Sequence, residues 1–180
     1  MKNRNESKIL KTVELLISDV DGVLTDGQLL ISSTGEEFKS FCVEDGTGVA
    51  IAKFAKLPIV WLSGRYSKCT TIRAEELGIE CCIQGVLDKK NKLPEIMDRF
   101  NVKLAQIAYV GDGLVDIPVL EVVGIPISVP NGHDSVKKKS CIITESFGGR
   151  GVLNELVEKI LKAKSIYEDT LKIMKDVKFK

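Results

Sequence analysis

The sequence predicts an α/β protein built on a doubly wound parallel sheet. Short apolar runs of strand length alternate with segments of helical periodicity along the chain, which is the order that parallel sheets require. The apolar runs are nearly continuous, as expected of strands covered on both faces. At 180 residues, the chain is long enough for one domain with a sizeable core.

The predicted elements follow this alternation from end to end. The first strand begins at Leu15 and stops at Asp19, and residues 28–42 are predicted to form a β-hairpin around the turn-forming SSTG. Further strands are predicted at residues 58–62, 80–85, 106–110, 125–129 and 141–144. Helices are predicted at residues 46–56, with Asp45 placed to cap or precede the first turn, and at 67–77, 89–100, 114–123 and 152–164. Residues 1–164 are expected to form one domain, with residues 165–180 as a C-terminal helical extension.

Composition and charge narrow the possible function classes. The 26 basic and 25 acidic residues leave a formal charge of +1, so no overall field favours nucleic acid or an anionic membrane. The polar N-terminal segment fits neither a signal peptide nor a membrane span, and we expect a cytoplasmic protein. The five cysteines show no zinc-like spacing and are predicted to be reduced thiols of the core.

Two aspartates, Asp19 and Asp21, stand directly after the first predicted strand. Ligands of parallel sheets collect at the carboxyl ends of the strands. Residues two apart in extended chain point the same way, about 6 to 7 Å apart, and Gly22 allows the tight turn that brings the second carboxylate inward. Two such charges at about 4 Å repel by roughly 4 kcal/mol at an effective dielectric near 20. The pair therefore predicts a site for a hard divalent cation.

Further candidate residues follow other predicted strands: Ser63 with Gly64, Lys89, and Asp112 with Asp116. Each segment alone has an ordinary interpretation as a turn, a helix start or a solvated helix face. Their convergence at the carboxyl ends of separate strands is the main indication of a site. A hydroxyl followed by the N–H groups of a helix start is suited to holding an anion.

Taken in order, the motifs DVDGV, SGR, a lysine at a helix start and GDGLVD resemble the haloacid dehalogenase superfamily of phosphatases. The resemblance implies that Asp19 attacks phosphorus and becomes an aspartyl phosphate, while Asp21 protonates the leaving oxygen and later activates water. It also implies Mg²⁺ held by the Asp19 side chain, the Asp21 backbone carbonyl and the Asp112 side chain.

The same resemblance assigns roles to the remaining candidates. Ser63 and Gly64 would hold the transferred phosphoryl group, and Lys89 would compensate its charge. Lys89 is preferred over its neighbours Lys90 and Lys92 because QGVLDK resembles the family segment whose final lysine is functional. Asp116 would orient Lys89 or a metal-bound water.

Longer matches narrow the resemblance further. DVDGVLTDG, GEEFKSF, DGTGVAIA, SGRYSKCTTIRAEELGI, QGVLDK and FGGRG resemble the family of 3-deoxy-D-manno-octulosonate 8-phosphate (KDO 8-phosphate) phosphatases of lipopolysaccharide sugar biosynthesis. That family has no separate cap domain and forms homotetramers, in which the hairpins build a central barrel and a neighbour covers the active site. Arg65, Ser67 and Arg73 are candidates for binding the sugar carboxylate or hydroxyls, although helix surface with salt links is an equal interpretation for the arginines.

The sequence departs from the family pattern at three places, and three other functions remain open. Asn154 stands where an arginine is expected, VPNGH replaces a more usual alanine-containing turn, and Gly113 replaces a second aspartate. A phosphatase for a nine-carbon sugar acid 9-phosphate is the nearest alternative, although SGRYS favours the eight-carbon substrate. A receiver-type switch and a non-catalytic assembly module are alternatives from other classes.

Overall fold

The computed structural model describes residues 2–178. Within them the strands are, in chain order, Leu15–Ser18 (β1), Leu30–Ile31 (β2), Glu37–Phe38 (β3), Ile59–Leu62 (β4), Cys81–Ile83 (β5), Ile107–Gly111 (β6), Ile125–Ser128 (β7) and Ile142–Ile143 (β8). The α-helices are Lys2–Leu10 (α1), Val43–Phe54 (α2), Lys68–Leu77 (α3), Leu93–Phe100 (α4), Ile117–Leu120 (α5), Asp134–Lys139 (α6), Val152–Ala163 (α7) and Tyr167–Lys178 (α8).

The main sheet is parallel throughout, with the strand order β5-β4-β1-β6-β7-β8. From β1 the chain first builds outward through β4 and β5, and then returns to the other side of β1 with β6, β7 and β8. In the register, Leu16 of β1 lies between Ile59 of β4 and Ala108 of β6. This confirms the predicted doubly wound sheet and places its topological switch point beside β1, where such folds bind ligands.

Both faces of the sheet are buried, and alternate residues of β1 serve opposite faces. Leu16 belongs to a core cluster with the helices α1, α2 and α7, whereas Leu15 and Ile17 belong to a second cluster with α4, α5 and α6. This two-sided burial explains the continuous apolar runs in the sequence. It also holds β1 firmly, so that its last residue offers a rigid attachment point for the aspartate that follows.

Helix α2 begins at Val43, three residues before the predicted start. The prediction that Asp45 caps or precedes this helix is therefore wrong, because Asp45 is a buried residue inside its first turn. Its Oδ1 accepts a hydrogen bond of 2.7 Å from the backbone N–H of Leu153, in the first turn of α7. The carboxylate satisfies an N–H that has no partner within its own helix, and it ties α2 to α7.

Two predicted helices begin with a 3₁₀ turn instead of a regular α-helix. Residues Lys89–Lys92 and Leu114–Asp116 form these turns, and α4 and α5 follow them. Pro94 and Pro118 stand in the first turns of α4 and α5, where the missing N–H of proline has no cost. Helix α5 also ends at Leu120, before the predicted residue 123, and α1 is a helix that the sequence analysis did not predict.

The hairpin of β2 and β3 lies within the predicted range 28–42 and pairs Leu30 with Phe38. Its apolar side chains are exposed: Leu30 by 66%, Ile31 by 61% and Phe38 by 51%. At the other end of the chain, α8 covers the core cluster beside α2 with Tyr167, Leu171 and Met174.

The prediction that the cysteines are core residues is only partly right, because Cys81 alone is buried among the five free cysteines. Cys81 is buried, whereas Cys141 is exposed because it precedes β8 at the edge of the sheet. Among the helices of the described chain, none combines the length and the apolar composition needed to cross a membrane.

Candidate active site

Asp19 lies at the carboxyl end of β1 and is buried. Its Oδ1 accepts a hydrogen bond of 2.7 Å from the backbone N–H of Val20, and its Oδ2 lies 2.8 Å from Nζ of Lys89. The side chain of Lys89, from the 3₁₀ turn before α4, is completely buried. Both carboxylate oxygens of Asp19 are thus held in place, and one faces a buried ammonium group.

Asp112 approaches from the neighbouring strand β6. It follows Gly111, the last residue of β6, and its carboxylate lies against Gly22. A Cβ added to Gly22 would lie 2.1 Å from Oδ2 of Asp112, and the backbone of Gly22 has a φ of +86°. Glycine is therefore required at position 22 both for the turn and for the close approach of the carboxylate.

Asp116 anchors a buried hydrogen-bond network beneath these groups. Its Oδ1 accepts hydrogen bonds from Nζ of Lys89 at 2.7 Å and from the hydroxyl of Tyr109 at 2.5 Å. Its Oδ2 accepts from the backbone N–H groups of Asp112 and Gly113, both at 3.0 Å. With four donors around it, Asp116 is occupied in orienting Lys89 and the loop that carries Asp112.

The site holds more negative than positive charge. Burial and the charge of Asp116 raise the pKa of Asp19 to about 8, although Lys89 opposes this rise. The same two causes raise the pKa of Asp112 to about 6. Burial lowers the pKa of Lys89, but the Asp19 and Asp116 carboxylates outweigh it and the net direction is upward. One ammonium does not neutralise three carboxylates, so the cluster has room for a further cation.

The donor atoms fit a hard divalent metal. One carboxylate oxygen from each of Asp19, Asp112 and Asp116 lies within 4.8 Å of the other two, and oxygen ligands are those that Mg²⁺ prefers. Because the oxygens of Asp116 already accept four hydrogen bonds, Asp19 and Asp112 are the better candidates for direct ligands.

Ser63 and Gly64 follow β4, on the other side of β1. Ser63 is buried, and its Oγ accepts a hydrogen bond of 3.2 Å from the backbone N–H of Arg65. An added Cβ on Gly64 would lie 3.9 Å from Cε of Lys89. The structure therefore brings the SGR turn and Lys89 to the same edge of the sheet as Asp19.

The carboxylate of Asp21 does not join the acidic cluster in the way that its spacing from Asp19 suggested. Its Oδ1 instead lies 2.5 Å from Nζ of Lys39, which comes from the end of the hairpin. Its Oδ2 is buried and has no hydrogen-bond partner among the described residues. The turn at Gly22 thus directs the two aspartates to different partners.

The three predicted substrate residues lie in different environments. Nη1 of Arg65 is 3.2 Å from Oε1 of Glu37 in the hairpin. Ser67 is buried, and its Oγ has no hydrogen-bond partner in the described chain. Arg73 lies further along α3, where it binds Glu76 at 2.8 Å and reaches the carbonyl of Cys42 at 3.4 Å. These contacts hold Arg73 against the start of α2.

Two of the departures from the family pattern have a structural account. Asn131, in the VPNGH turn, donates to the carbonyl of Gly22 at 3.0 Å and accepts from the N–H of Gly148 at 2.7 Å. It therefore joins the turn after β1 to the glycine-rich loop before α7. Asn154 lines a polar cavity of about 410 Å³ together with Glu44 and Glu158, and no predicted site residue is among the residues that line this cavity.

Sequence reasoning missed three residues that contact the site: Lys39, Tyr109 and Asn131. Tyr109 lies in the middle of an apolar strand, and a polar group at such a position is a usable signal because a buried hydroxyl needs a partner. Lys39 directly follows a strand of the hairpin, within the motif GEEFKSF. Its contact to Asp21 depends on how the hairpin folds back, for which the local sequence offers no signal.

Comparison with known proteins identifies the family. The profile of haloacid dehalogenase-like hydrolases matches residues 60–156. The KDO 8-phosphate phosphatase of Escherichia coli strain K12 is 35% identical over 153 residues, which are 85% of this chain and 81% of that protein. The chain belongs to the KDO 8-phosphate phosphatase family of haloacid dehalogenase-like hydrolases.

Solved structures of this family share the fold. The KDO 8-phosphate phosphatase of Moraxella catarrhalis, crystallised with a magnesium ion, a phosphate ion and KDO, has a TM-score of 0.90 and 36% identity. The match covers 95% of this chain and 98% of that one. The cobalt-bound phosphatase of Haemophilus influenzae has a TM-score of 0.84 and 35% identity, with coverage of 88% and 93%.

Proposed function

We propose that this chain is a Mg²⁺-dependent phosphatase that hydrolyses KDO 8-phosphate to KDO and phosphate in lipopolysaccharide sugar biosynthesis. The observation that carries the proposal is the buried Asp19–Lys89 pair beside Asp112, at the switch point of the sheet. This arrangement offers a nucleophile, a positive charge and metal ligands at one place. Relatives with 35% identity over most of the chain are KDO 8-phosphate phosphatases.

In the first step, an oxygen of the Asp19 carboxylate forms a bond to phosphorus, and the bond from phosphorus to the C8 oxygen of the sugar breaks. Asp21 gives its proton to the departing oxygen. Two fixed contacts, from Val20 N–H and from Lys89, hold the Asp19 carboxylate before the attack. Preorganisation of this kind avoids the cost of orienting the nucleophile during the reaction.

In the second step, water forms a bond to phosphorus, the bond to Asp19 breaks, and Asp21 takes the proton from that water. Lys89 offsets negative charge on the transferred group, while Ser63 and the N–H of Gly64 bind its oxygens. The ligands proposed for Mg²⁺ are the Asp19 side chain, the Asp21 backbone carbonyl and the Asp112 side chain. When bound, Mg²⁺ supplies positive charge that lets a carboxylate and a phosphate approach each other.

The substrate assignment rests on the relatives, which are KDO 8-phosphate phosphatases. Within residues 2–178, the only insertion between β1 and β4 besides α2 is the short hairpin of β2 and β3. Arg65 follows Gly64 directly and Ser67 comes two residues later, and both are proposed to contact the sugar. Arg73, further along α3, is proposed to contribute to sugar binding from a greater distance. Their positions beside the SGR turn support this role for the first two.

We also propose that the chain works as a homotetramer in the cytoplasm. Leu30 and Phe38 pair across the hairpin and form an exposed apolar face, and Ile31 is exposed as well. Exposed apolar patches on soluble proteins usually mark interaction sites. Free cysteines fit a reducing compartment. In this proposal, residues 1–164 are the phosphatase domain and residues 165–180 are its helical extension. Light scattering should give four times the mass of one chain, and a Leu30→Asp variant should lower that mass.

Steady-state kinetics test the enzymatic proposal. With Mg²⁺, kcat/KM should be highest for KDO 8-phosphate, lower for a nine-carbon sugar acid 9-phosphate and lowest for an aryl phosphate. EDTA should abolish turnover. Asp19→Asn should lower turnover below about a thousandth of wild type while the fold persists, because the nucleophile is removed at nearly constant volume.

Each contrary result identifies a different function. Faster turnover of the nine-carbon substrate would reassign the substrate. A stable phosphoaspartate without repeated turnover would indicate a receiver-type switch. Turnover of no phosphate ester at all would leave the assembly module as the better explanation.

A further inference from the structure

Lys39 has a buried side chain although it belongs to a largely exposed hairpin. It follows β3 directly, and its side chain is 1% exposed, whereas the preceding Phe38 is 51% exposed. A buried ammonium group is costly unless it is paired and hydrogen-bonded. Lys39 meets this requirement with Oδ1 of Asp21 at 2.5 Å and the hydroxyl of Thr70 at 3.4 Å.

The hairpin delivers Lys39 to this position through contacts on its inner side. Oε1 of Glu37 lies 3.2 Å from Nη1 of Arg65, and the carbonyl of Glu37 accepts a hydrogen bond of 3.3 Å from Sγ of Cys69. Successive residues of extended chain point to opposite sides, so Glu37 and Lys39 face the domain while Phe38 faces outward. The hairpin is thereby attached to the SGR turn and to the first turn of α3.

Asp21 depends on this contact for its orientation. Its side chain is 23% exposed, and its second oxygen has no hydrogen-bond partner among the described residues. The contact to Lys39 therefore determines which way the carboxylate group faces. A group that transfers a proton must be held close to its productive geometry, within about 0.5 Å and 10–20°.

We propose that Lys39 is a positioning residue for the phosphatase reaction, which holds the Asp21 carboxylate where it can exchange a proton with the leaving sugar oxygen. The inference rests on the proposed function, in which Asp21 gives a proton to that oxygen and regains one from the attacking water. Lys39 takes no part in either proton transfer, and it donates a hydrogen bond to Asp21 after the first transfer has left Asp21 negatively charged. The hairpin thus contributes directly to the active site of its own chain.

The test compares two leaving groups in Lys39→Met, Lys39→Arg and the control Lys68→Met, which alters an exposed lysine at the start of α3. A sugar alkoxide needs a proton in order to leave, whereas p-nitrophenolate does not. Because a positioned general acid contributes typically 10²–10⁴-fold, Lys39→Met should lower kcat/KM for KDO 8-phosphate by about 10- to 100-fold. For p-nitrophenyl phosphate it should fall by less than about threefold.

Two further variants show whether Lys39 positions Asp21 or only supports the fold. Lys39→Arg should recover part of the loss because it keeps a charged donor, and Lys68→Met should match wild type on both substrates. If Lys39→Met fails to fold, as judged by circular dichroism, Lys39→Gln takes its place because it retains a hydrogen-bond donor without charge. Equal losses on both substrates, or no loss on either, would overturn the proposal.

The same measurements distinguish this inference from the proposed function. If wild type hydrolyses another alkyl phosphate but not KDO 8-phosphate, the substrate assignment fails. The losses in kcat/KM that Lys39→Met causes for that alkyl phosphate and for the aryl phosphate are then compared, and they decide the role of Lys39. If wild type hydrolyses no phosphate ester, both proposals are overturned.

Discussion

Replacing Lys89 by methionine removes the ammonium group that two buried carboxylates share. Nζ of Lys89 lies 2.8 Å from Oδ2 of Asp19 and 2.7 Å from Oδ1 of Asp116. Removing one partner of a buried ion pair typically costs about 3–5 kcal/mol, since the remaining charge is left uncompensated. For a chain of this size, that loss corresponds to a melting temperature lower by about 6–20 °C.

Activity should fall for a separate reason. Lys89 faces the nucleophile, and removing one preorganised donor at a site of developing charge costs about 10²–10³-fold in kcat. Adding Asp116→Asn to Lys89→Met should restore part of the stability, because one of the two unpaired charges is removed. It should not restore activity, since the positive charge beside Asp19 is still missing.

The assays are thermal unfolding in EDTA and in MgCl₂, together with steady-state kinetics. The matched control is Lys90→Met, because Lys90 is the next residue and is exposed. Excess Mg²⁺ should raise the melting temperature of Lys89→Met, because the metal supplies positive charge at the same cluster. If Lys89→Met melts and turns over like Lys90→Met, the argument from charge compensation is refuted and the role passes to Lys90 or Lys92.

Burial raises the pKa of Asp19 from 3.8 to about 8, so the metal-free protein should lose stability as the pH rises between these values, because the folded chain keeps a proton that the unfolded chain releases. Mg²⁺ should therefore stabilise the protein more at pH 8 than at pH 5 in thermal-shift assays, and equal stabilisation would contradict this. Burial also raises the pKa of Asp45 to about 6. Asp45→Asn should therefore increase the free energy of unfolding by up to about 3 kcal/mol at pH 8 and by almost nothing at pH 4. An equal gain in the free energy of unfolding at both pH values would contradict the raised pKa. Gly22→Ala places a Cβ 2.1 Å from Oδ2 of Asp112. It should lower both the turnover and the Mg²⁺ affinity, the latter measured by calorimetry, by about 10²-fold or more. Gly35→Ala is its control, because Gly35 has the same φ of +86° with open space around it, and equal losses in both variants would show that backbone strain alone is responsible.

Much of the site could be predicted because it follows the ends of strands. Asp19, Ser63 and Asp112 each come directly after or within one residue of a buried strand, and parallel strands bring such positions to one edge of the sheet. Lys89 could be preferred over Lys90 and Lys92 only through family resemblance, because it does not directly follow β5, which ends at Ile83. The lysines at positions 89, 90 and 92 look alike in sequence, and only burial separates Lys89 from the exposed Lys90.

Other features depend on contacts between distant segments. Asp45 looked like the cap of the nearest helix, but it binds the N–H of Leu153, 108 residues away. Asp21 looked like a partner of Asp19, but the turn at Gly22 and the folding back of the hairpin pair it with Lys39. Local patterns cannot predict such pairings, since a short polar side chain takes whichever partner the tertiary packing brings within reach.

By itself, the sequence determined the alternation of strands and helices, the family and the identity of the acidic residues, because periodicity and motifs are local properties of the chain. The tertiary structure decided which charge faces which. It buried Lys89 between Asp19 and Asp116 and paired Asp21 with Lys39. It also linked the turn after β1 to the glycine-rich loop before α7 through the hydrogen bonds of Asn131. The physical reason is that burial makes each unpaired charge costly, so the packing of the whole domain selects the partners.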